Sequence, residues 1–362
     1  MKTKTLIAMS GGVDSSVVAF LLKEAGHECI GAMMKLYEHP TALPKNEKTC
    51  CSLLDAEDAR AVADSLGIPF YVFNFKNTFS EEVMERFVQA YLKGITPNPC
   101  IDCNRFVKFK KFLLRAEELE CTHIATGHYA QIEKPSNYNG RFLLKKGTDH
   151  TKDQSYVLYA MTQDQLSRTL FPLGAFTKDD VRKMAEKQKF VNANKRDSQD
   201  ICFAPDGDYA GFIQRSVSDF KVEKGKFINK NHQILGEHKG IIHYTVGQRK
   251  GIGAIIQNPE PLYVTAINPK ENTVTVGLKE ELYSKTVQAT DINLIPFDKL
   301  NHSIRVTAKV RYSYTAQPAT LWQEDNNLIQ LEFDTPQRAI TAGQAVVFYD
   351  GDIVVGGGTI IL

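Results

Sequence analysis

The sequence predicts an α/β chain: a doubly wound parallel sheet at the N-terminal side, followed by a part built mostly of β-structure. Three observations carry this. Apolar runs of strand character alternate with helical periodicity as far as residue 126, which is the signature of a parallel sheet covered by helices. The first of those runs ends in two glycines and turns directly into a helix. Beyond about residue 221 the chain breaks into short apolar segments punctuated by Gly, Asn and Pro, up to Gly356-Gly357-Gly358, a β pattern.

Residues 5–9 read as a buried strand, 14–26 as a helix ending at Gly26, and 28–36 as a second apolar strand. Ala56, Ala59, Val62, Ala63 and Leu66 recur at helical spacing over 53–66, before Gly67-Ile68-Pro69 and a strand over 70–75. Helices over 80–93 and 104–119 and a strand over 123–126 continue the alternation. The Ser10 loop, Met33-Met34 and Gly127-His128-Tyr129 then fall at the carboxyl ends of strands, the ligand side of such a sheet. Pro205-Asp206-Gly207-Asp208 is a turn cluster, and a second break lies near 280–285, since a new alternating run starts at Val287. The expected units are 1–205, 206–281 and 282–362.

At 362 residues the chain exceeds one typical core. A net charge of +2 is too small to steer a polyanion to the whole molecule, so any nucleic-acid contact has to come from local clusters. No run approaches the roughly 18 apolar residues of a membrane span. Met1-Lys2-Thr3-Lys4 leads straight into a strand, so a cytoplasmic protein with no membrane partner is expected. Seven cysteines fall as Cys50-Cys51, a C-x-x-C at Cys100 and Cys103, and singles at Cys29, Cys121 and Cys202. In a reducing compartment that layout favours thiol chemistry or metal over structural disulfides.

Ser10-Gly11-Gly12-Val13-Asp14-Ser15-Ser16 is the most informative stretch. A strand that ends in glycines and opens a helix aims backbone N–H groups and a positive helix end at one point, which suits a phosphate. No lysine follows the glycines, so this is not the loop that stabilises a transferred γ-phosphoryl group. Amides, three hydroxyls and the Asp14 carboxylate remain, a set able to hold Mg²⁺ against pyrophosphate and pointing to cleavage between the α and β phosphates. An ordinary strand-to-helix turn with Ser10 as N-cap explains the serines and glycines but not the acid.

Cys100-Ile101-Asp102-Cys103 lies between a proline pair and a basic helix carrying Arg105, Lys108, Lys110, Lys111 and Arg115, all but Lys110 on roughly one face of a regular helix. A thiol there is expected to have a depressed pKa. Cys202, after Asp197-Ser198-Gln199-Asp200, is a second loop cysteine that fits a sulfur-carrier role or plain core packing. No second C-x-x-C completes a zinc site. Lys309-Val310-Arg311-Tyr312-Ser313-Tyr314 reads as a strand that interleaves basic and aromatic residues, as RNA stacking surfaces do, although Tyr312 and Tyr314 also fit plain packing. His128 and Met33-Met34 also have plain structural readings.

Five ordered motifs, SGGVDSS, TPNPCIDCNR, ATGHYA, Lys152-Asp153-Gln154-Ser155-Tyr156 and DSQDICF, make the chain resemble the tRNA-specific 2-thiouridylases essentially end to end. The resemblance implies an ATP-pyrophosphatase domain like those of the adenine nucleotide alpha hydrolases, a small central domain and a C-terminal β-barrel. It implies ATP contacts at Ala8, Met9, Ser10, Gly11, Gly12, Val13, Asp14, Ser15, Met34 and Gly127, with Asp14, Cys103 and Cys202 catalytic. Asn98, Pro99 and Cys100 match a segment touching the target base. His128, Lys152, Asp153, Gln154, Arg311, Tyr312 and Gln344 match tRNA contacts.

The implied reaction adenylates the C2 oxygen of the wobble uridine with Mg-ATP and then inserts sulfur through a cysteine persulfide. A persulfide donor protein is the implied partner, and a disulfide bond is expected. Many members carry Asp where this chain has Cys100. The extra thiolate makes an alternative, a [4Fe–4S] cluster on Cys100, Cys103 and Cys202, less favoured than the persulfide route. An amidotransferase or synthetase using the same loop, and a non-catalytic RNA-binding module, are the competing readings.

Overall fold

The computed structural model describes residues 2–37, 53–195, 201–204, 207–217, 222–253, 256, 258–325 and 327–361. Cys50, Cys51 and the 197–200 segment lie outside the described residues.

Strands β1 (Lys4–Ala8), β2 (Glu28–Lys35), β3 (Phe70–Asn74) and β4 (His123–Ala125), with Thr169–Leu170, form a five-stranded sheet in the order β3-β2-β1-β4 and then 169–170. Every pairing is parallel. Successive strand residues face opposite sides, and the side chains follow. Leu6, Ile30, Ala32 and Ile124 pack under the helical run 76–118, while Ile7, Met9, Met33 and Ala125 pack under helices α1 (Val13–Glu24) and α2 (Leu53–Leu66). The chain order reverses between β1 and β4, so the loops after these two strands share the crevice in which such sheets bind ligands.

Two regions depart from the sequence expectation. The helix placed at 104–119 begins at Pro99 and runs to Glu118, with a π-helical stretch over Cys103–Lys111. Cys103 is therefore inside a helix rather than in a loop. The stretch 310–314 is a turn beyond the end of strand Ile304–Lys309, not part of a strand.

A second sheet joins Tyr263–Asn268, Thr273–Gly277, Gly225–Ile228 and Ile234–His238 over Phe227, Val264 and Val274. In the third, Tyr283–Leu294 pairs with both Leu328–Arg338 and Ile353–Ile361, which closes six antiparallel strands into a barrel and removes exposed edges. A hairpin of Ala130–Glu133 and Leu143–Lys146, just after β4, adds to this barrel sheet through Lys145 opposite Ile353. Sequence patterning showed no sign of that cross-connection. No helix among the described residues is long and apolar enough to cross a membrane.

Candidate nucleotide and thiol site

Gly11 has φ +76°, and a Cβ there would sit 2.2 Å from the Asp55 carbonyl oxygen. Only glycine meets both conditions. The helix cap is Gly12, not Ser10, and it makes no side-chain cap bond. The Ser10 N–H donates to Ser15 Oγ at 3.2 Å, and the Ser15 and Ser16 hydroxyls donate to the Gly12 carbonyl at 3.0 and 3.1 Å. The hydroxyls thus brace the loop, and its first-turn amides, lacking a side-chain cap, are suited to an anion. From the other side the Gly11 carbonyl accepts from Asn192 Nδ2 and Lys195 Nζ, each at 3.1 Å, and Lys195 also bridges Asp55 and Asp58.

Asp14 is not a bare carboxylate. Lys178 Nζ lies 2.7 and 2.8 Å from its two oxygens, and the Tyr129 hydroxyl donates to Oδ1 at 2.8 Å. Lys178 is buried and opens helix Lys178–Lys187 behind the Thr177 capping box. In this structure the Lys178 ammonium occupies both Asp14 oxygens. No group of three or more His, Cys, Asp or Glu is gathered for a metal among the described residues.

Gly127 presses on the same loop, its Cβ position 3.1 Å from Asp14 Cβ and 3.3 Å from Ser15 N. Ala8, Ser10 to Ser15 and Gly127 are brought together. Met9 and Val13 point into the core, and Met34 is half-buried at the end of β2. Tyr129 was placed on the ligand side by sequence but given no role, and Lys178, Asn192 and Lys195 were missed. The only local signal was the Thr177-x-x-Asp180 capping box, which locates a helix start but not its neighbours.

Asn98 caps the helix that carries Cys100 and Cys103, its Oδ1 accepting the Cys100 N–H at 3.1 Å, with Pro99 at the first helical position. Cys100 is exposed; Cys103, one turn on, is buried. Cys202 packs half-buried against the same apolar core as Cys103. The Tyr37 hydroxyl donates to the Cys202 carbonyl. Phe203 holds this segment among Phe79, Phe87 and Phe212, with ring centroids 4.9–5.9 Å apart. Residues 29, 100, 103, 121 and 202 are all thiols, so the expected disulfide is not formed among the described residues. Cys100, Cys103 and Cys202 are not gathered as a ligand set either, and a [4Fe–4S] cluster does not fit them. Beside Cys103, burial pushes the Asp102 carboxyl up to about 6, against the opposing pull of Arg86 at 3.5 Å.

The residues expected to touch RNA divide. His128 is buried between Phe109 and Phe171, its Nδ1 2.7 Å from Thr126 Oγ1, and burial holds its pKa well below the usual histidine value. This is the structural reading of that histidine. Arg311 bonds the Val246 carbonyl and Thr341 Oγ1 at 2.9 and 2.7 Å, so it ties the barrel to the second sheet. Asp153 accepts from the Gly147 and Ser155 N–H groups, and Gln154 exchanges bonds with the Tyr129 backbone.

Tyr312, exposed, donates to the Asp153 carbonyl at 3.1 Å, and Lys309 lies 5.7 Å from its ring. The half-buried Lys152 lies on the same turn. Gln344 Nε2 donates to the Thr96 and Pro97 carbonyls at 2.8 and 3.2 Å, just before the Asn98 cap. The expected faces of the basic helix also change. Turns hydrogen-bonded i→i+5 place Lys110 with Arg105, and both lie near the Phe106 ring.

Family models match along the chain: the tRNA methyl transferase HUP domain over residues 3–206, its PRC-barrel domain over 211–278, and the aminomethyltransferase beta-barrel domain over 284–360. The tRNA-specific 2-thiouridylase MnmA of Clostridioides difficile is 49% identical over 99% of this chain and 98% of its own length. That of Acetivibrio thermocellus is 50% identical over 99% of both. Among solved structures, a 4-thiouridine synthetase in complex with RNA and bound ATP is 15% identical over 56% of this chain and 45% of its own, at a TM-score of 0.36. With half its residues shared across the full length of such relatives and its glycine loop, capped C-x-x-C helix and closed barrel all in place, the chain belongs to the tRNA-specific 2-thiouridylase family.

Proposed function

We propose that this chain is an ATP-dependent tRNA-uridine 2-sulfurtransferase that converts the wobble uridine to 2-thiouridine. The observation that carries the reading is the identity of 49% to a 2-thiouridylase over 99% of the chain. The geometry supports a division of labour in which 1–205 activate the base, and 206–281 and 282–362 hold the RNA against it.

A uridine C2 carbonyl is a poor electrophile with a poor leaving oxygen. ATP solves this when the C2 oxygen attacks the α-phosphorus and pyrophosphate leaves. The amides after β1 receive the pyrophosphate charge. Lys178, arriving from a distant helix, supplies the cation that the loop's own sequence lacks, and Asp14 holds that ammonium in place until nucleotide arrives. Magnesium enters on the phosphates as part of the substrate.

Sulfur then arrives as a persulfide on Cys202, delivered by a donor protein. Its terminal sulfur attacks C2 and AMP departs with the former carbonyl oxygen. The Cys103 thiolate attacks Cys202 Sγ, which releases the 2-thiouridine and leaves a Cys103–Cys202 disulfide. A thiol reductant resets it. The base must leave its stack to reach this site, which is easier in an anticodon loop than in a duplex.

The test is mass spectrometry of nucleosides from tRNA of cells with and without a functional copy of this chain. Loss of 2-thiouridine with restoration by the intact copy is expected. Unchanged 2-thiouridine overturns the reading.

A further inference from the structure

A cavity of about 310 Å³ lies between the C-x-x-C helix and the barrel, on the side lined by Arg86, Lys93, Asn98, Arg105 and Asp291. It does not include Cys100 or Cys103 among its lining residues. Arg105 reaches across it and pairs through both terminal nitrogens with the Asp291 carboxylate, the Nη2 to Oδ1 bond being 2.9 Å. Asp291 stands in an unusual position. Its φ is +52°, at a bulge where the register with 353–361 slips between Thr290 and Asn293. Bulges re-aim side chains, and this one presents a carboxylate to the cavity.

The lining sets Arg86, Lys93 and Arg105 against the carboxylates of Asp102 and Asp291, with the Phe106 ring beside it. Arg86, Arg105 and Lys110 lie 4.9, 5.4 and 5.9 Å from the half-buried Phe106 ring, and Lys93 is exposed at the cavity. A guanidinium fork that fits a carboxylate with two parallel bonds fits a phosphate in the same way. The Arg105–Asp291 pair is also half open to solvent, with side chains 34% and 48% exposed, so an incoming anion can compete for it.

We propose that this cavity binds a phosphodiester of the RNA beside the target nucleotide, with Arg105 exchanging the Asp291 carboxylate for a phosphate oxygen. The inference rests on the tRNA reading above and adds a contact to it. Asp291 acts as a stand-in anion: it keeps Arg105 oriented in the absence of RNA and sets a threshold that weakly placed polyanions do not cross. The exchange also frees the barrel strand from the C-x-x-C helix, so binding of RNA and the position of that helix are linked.

The test measures the affinity of the full chain for purified tRNA without ATP, across a salt series, for the wild type, Asp291→Asn, Arg105→Gln and the double variant. Asparagine tolerates the left-handed backbone at 291, so the fold is kept while the competing charge is removed. Asp291→Asn is expected to bind tRNA roughly fivefold more tightly, and Arg105→Gln roughly tenfold more weakly with a salt slope smaller by about one phosphate contact. In the double variant the gain from Asp291→Asn disappears, because it requires Arg105.

A gain that persists without Arg105 means only a general charge effect and overturns the exchange. No gain from Asp291→Asn overturns it equally, while leaving the tRNA reading intact if the wild type binds. Failure of the wild type to bind tRNA at low salt overturns both.

Discussion

At the scale of single residues, the site is governed by a buried ammonium paired with a partly exposed carboxylate. Lys178 is 5% exposed, and its ammonium faces both carboxylate oxygens of Asp14. Removing one partner of a fully buried pair typically costs about 3–5 kcal/mol; with the Asp14 side chain 30% exposed, the loss here falls below that range. Asp14→Ala is therefore expected to lower stability as well as abolish pyrophosphate release. Lys178→Met should lose pyrophosphate release too, and Asp14→Asn should restore much of the lost stability without restoring activity. Urea midpoints beside a pyrophosphate assay check this, and an Asp14→Ala protein as stable as the wild type counts against the buried pair.

Asp102 gives the pH prediction. Burial raises its folded pKa to about 6, above the roughly 3.9 of an unfolded aspartate. The folded state then binds the proton more tightly, so stability is fully present below about pH 4 and declines as pH rises through about 6. Asp102→Asn cannot ionise. It is expected to flatten that slope and to be more stable than the wild type at pH 7, on the order of 2 kcal/mol, read from urea unfolding at pH 4.5 and 7.

At the scale of elements, the C-x-x-C helix is positioned from three sides. Asn98 caps it, Asn104 donates to the Val157 carbonyl at 3.0 Å, and Gln344 of the barrel holds the Thr96 and Pro97 carbonyls. Gln344→Ala should therefore lower sulfur insertion more than pyrophosphate release, by roughly tenfold to a hundredfold as displaced catalytic groups do. Single-turnover measurement of both products checks it. Equal loss in both steps would place Gln344 in binding alone.

Strands β1 to β4 of the parallel sheet were legible because each is a compact apolar run beside Gly or Pro, whereas the two-residue edge strand Thr169–Leu170 was not. The start of the 99–118 helix was not, since Pro97 and Pro99 read as loop residues although Pro99 occupies the first helical turn, where its missing N–H does no harm. The π-helical stretch was equally hidden. Helical periodicity assumes a regular turn, so it separated Lys110 from Arg105, which the fold places around one ring.

At the scale of the whole molecule, the glycine loop was readable as an anion site because its chemistry is local. Its cation was not, since Lys178 stands 164 positions from Asp14 and only folding brings them together. The same holds for Arg311 and Gln344. The family resemblance implies RNA contacts for them, and in the fold their side chains join the barrel to the 246 loop and to the segment before the C-x-x-C helix. With the 130–146 hairpin added to the barrel sheet, the three sheets form one interlocked body around the crevice. Cutting the chain at residue 205 is expected to yield a poorly folded N-terminal piece, because that hairpin loses its partner strand; circular dichroism and thermal melting of residues 1–205 check this.

The central claim is that one crevice activates a uridine oxygen with ATP and replaces it with sulfur from a cysteine persulfide. Its most direct measurement is the stoichiometry of a single turnover of the purified, iron-free chain with ATP, magnesium, substrate tRNA and a persulfide donor. The account predicts pyrophosphate, AMP and 2-thiouridine in equal amounts, with Cys202→Ser releasing pyrophosphate but forming no thionucleoside. Formation of ADP and phosphate, or 2-thiouridine made by Cys202→Ser, would contradict it.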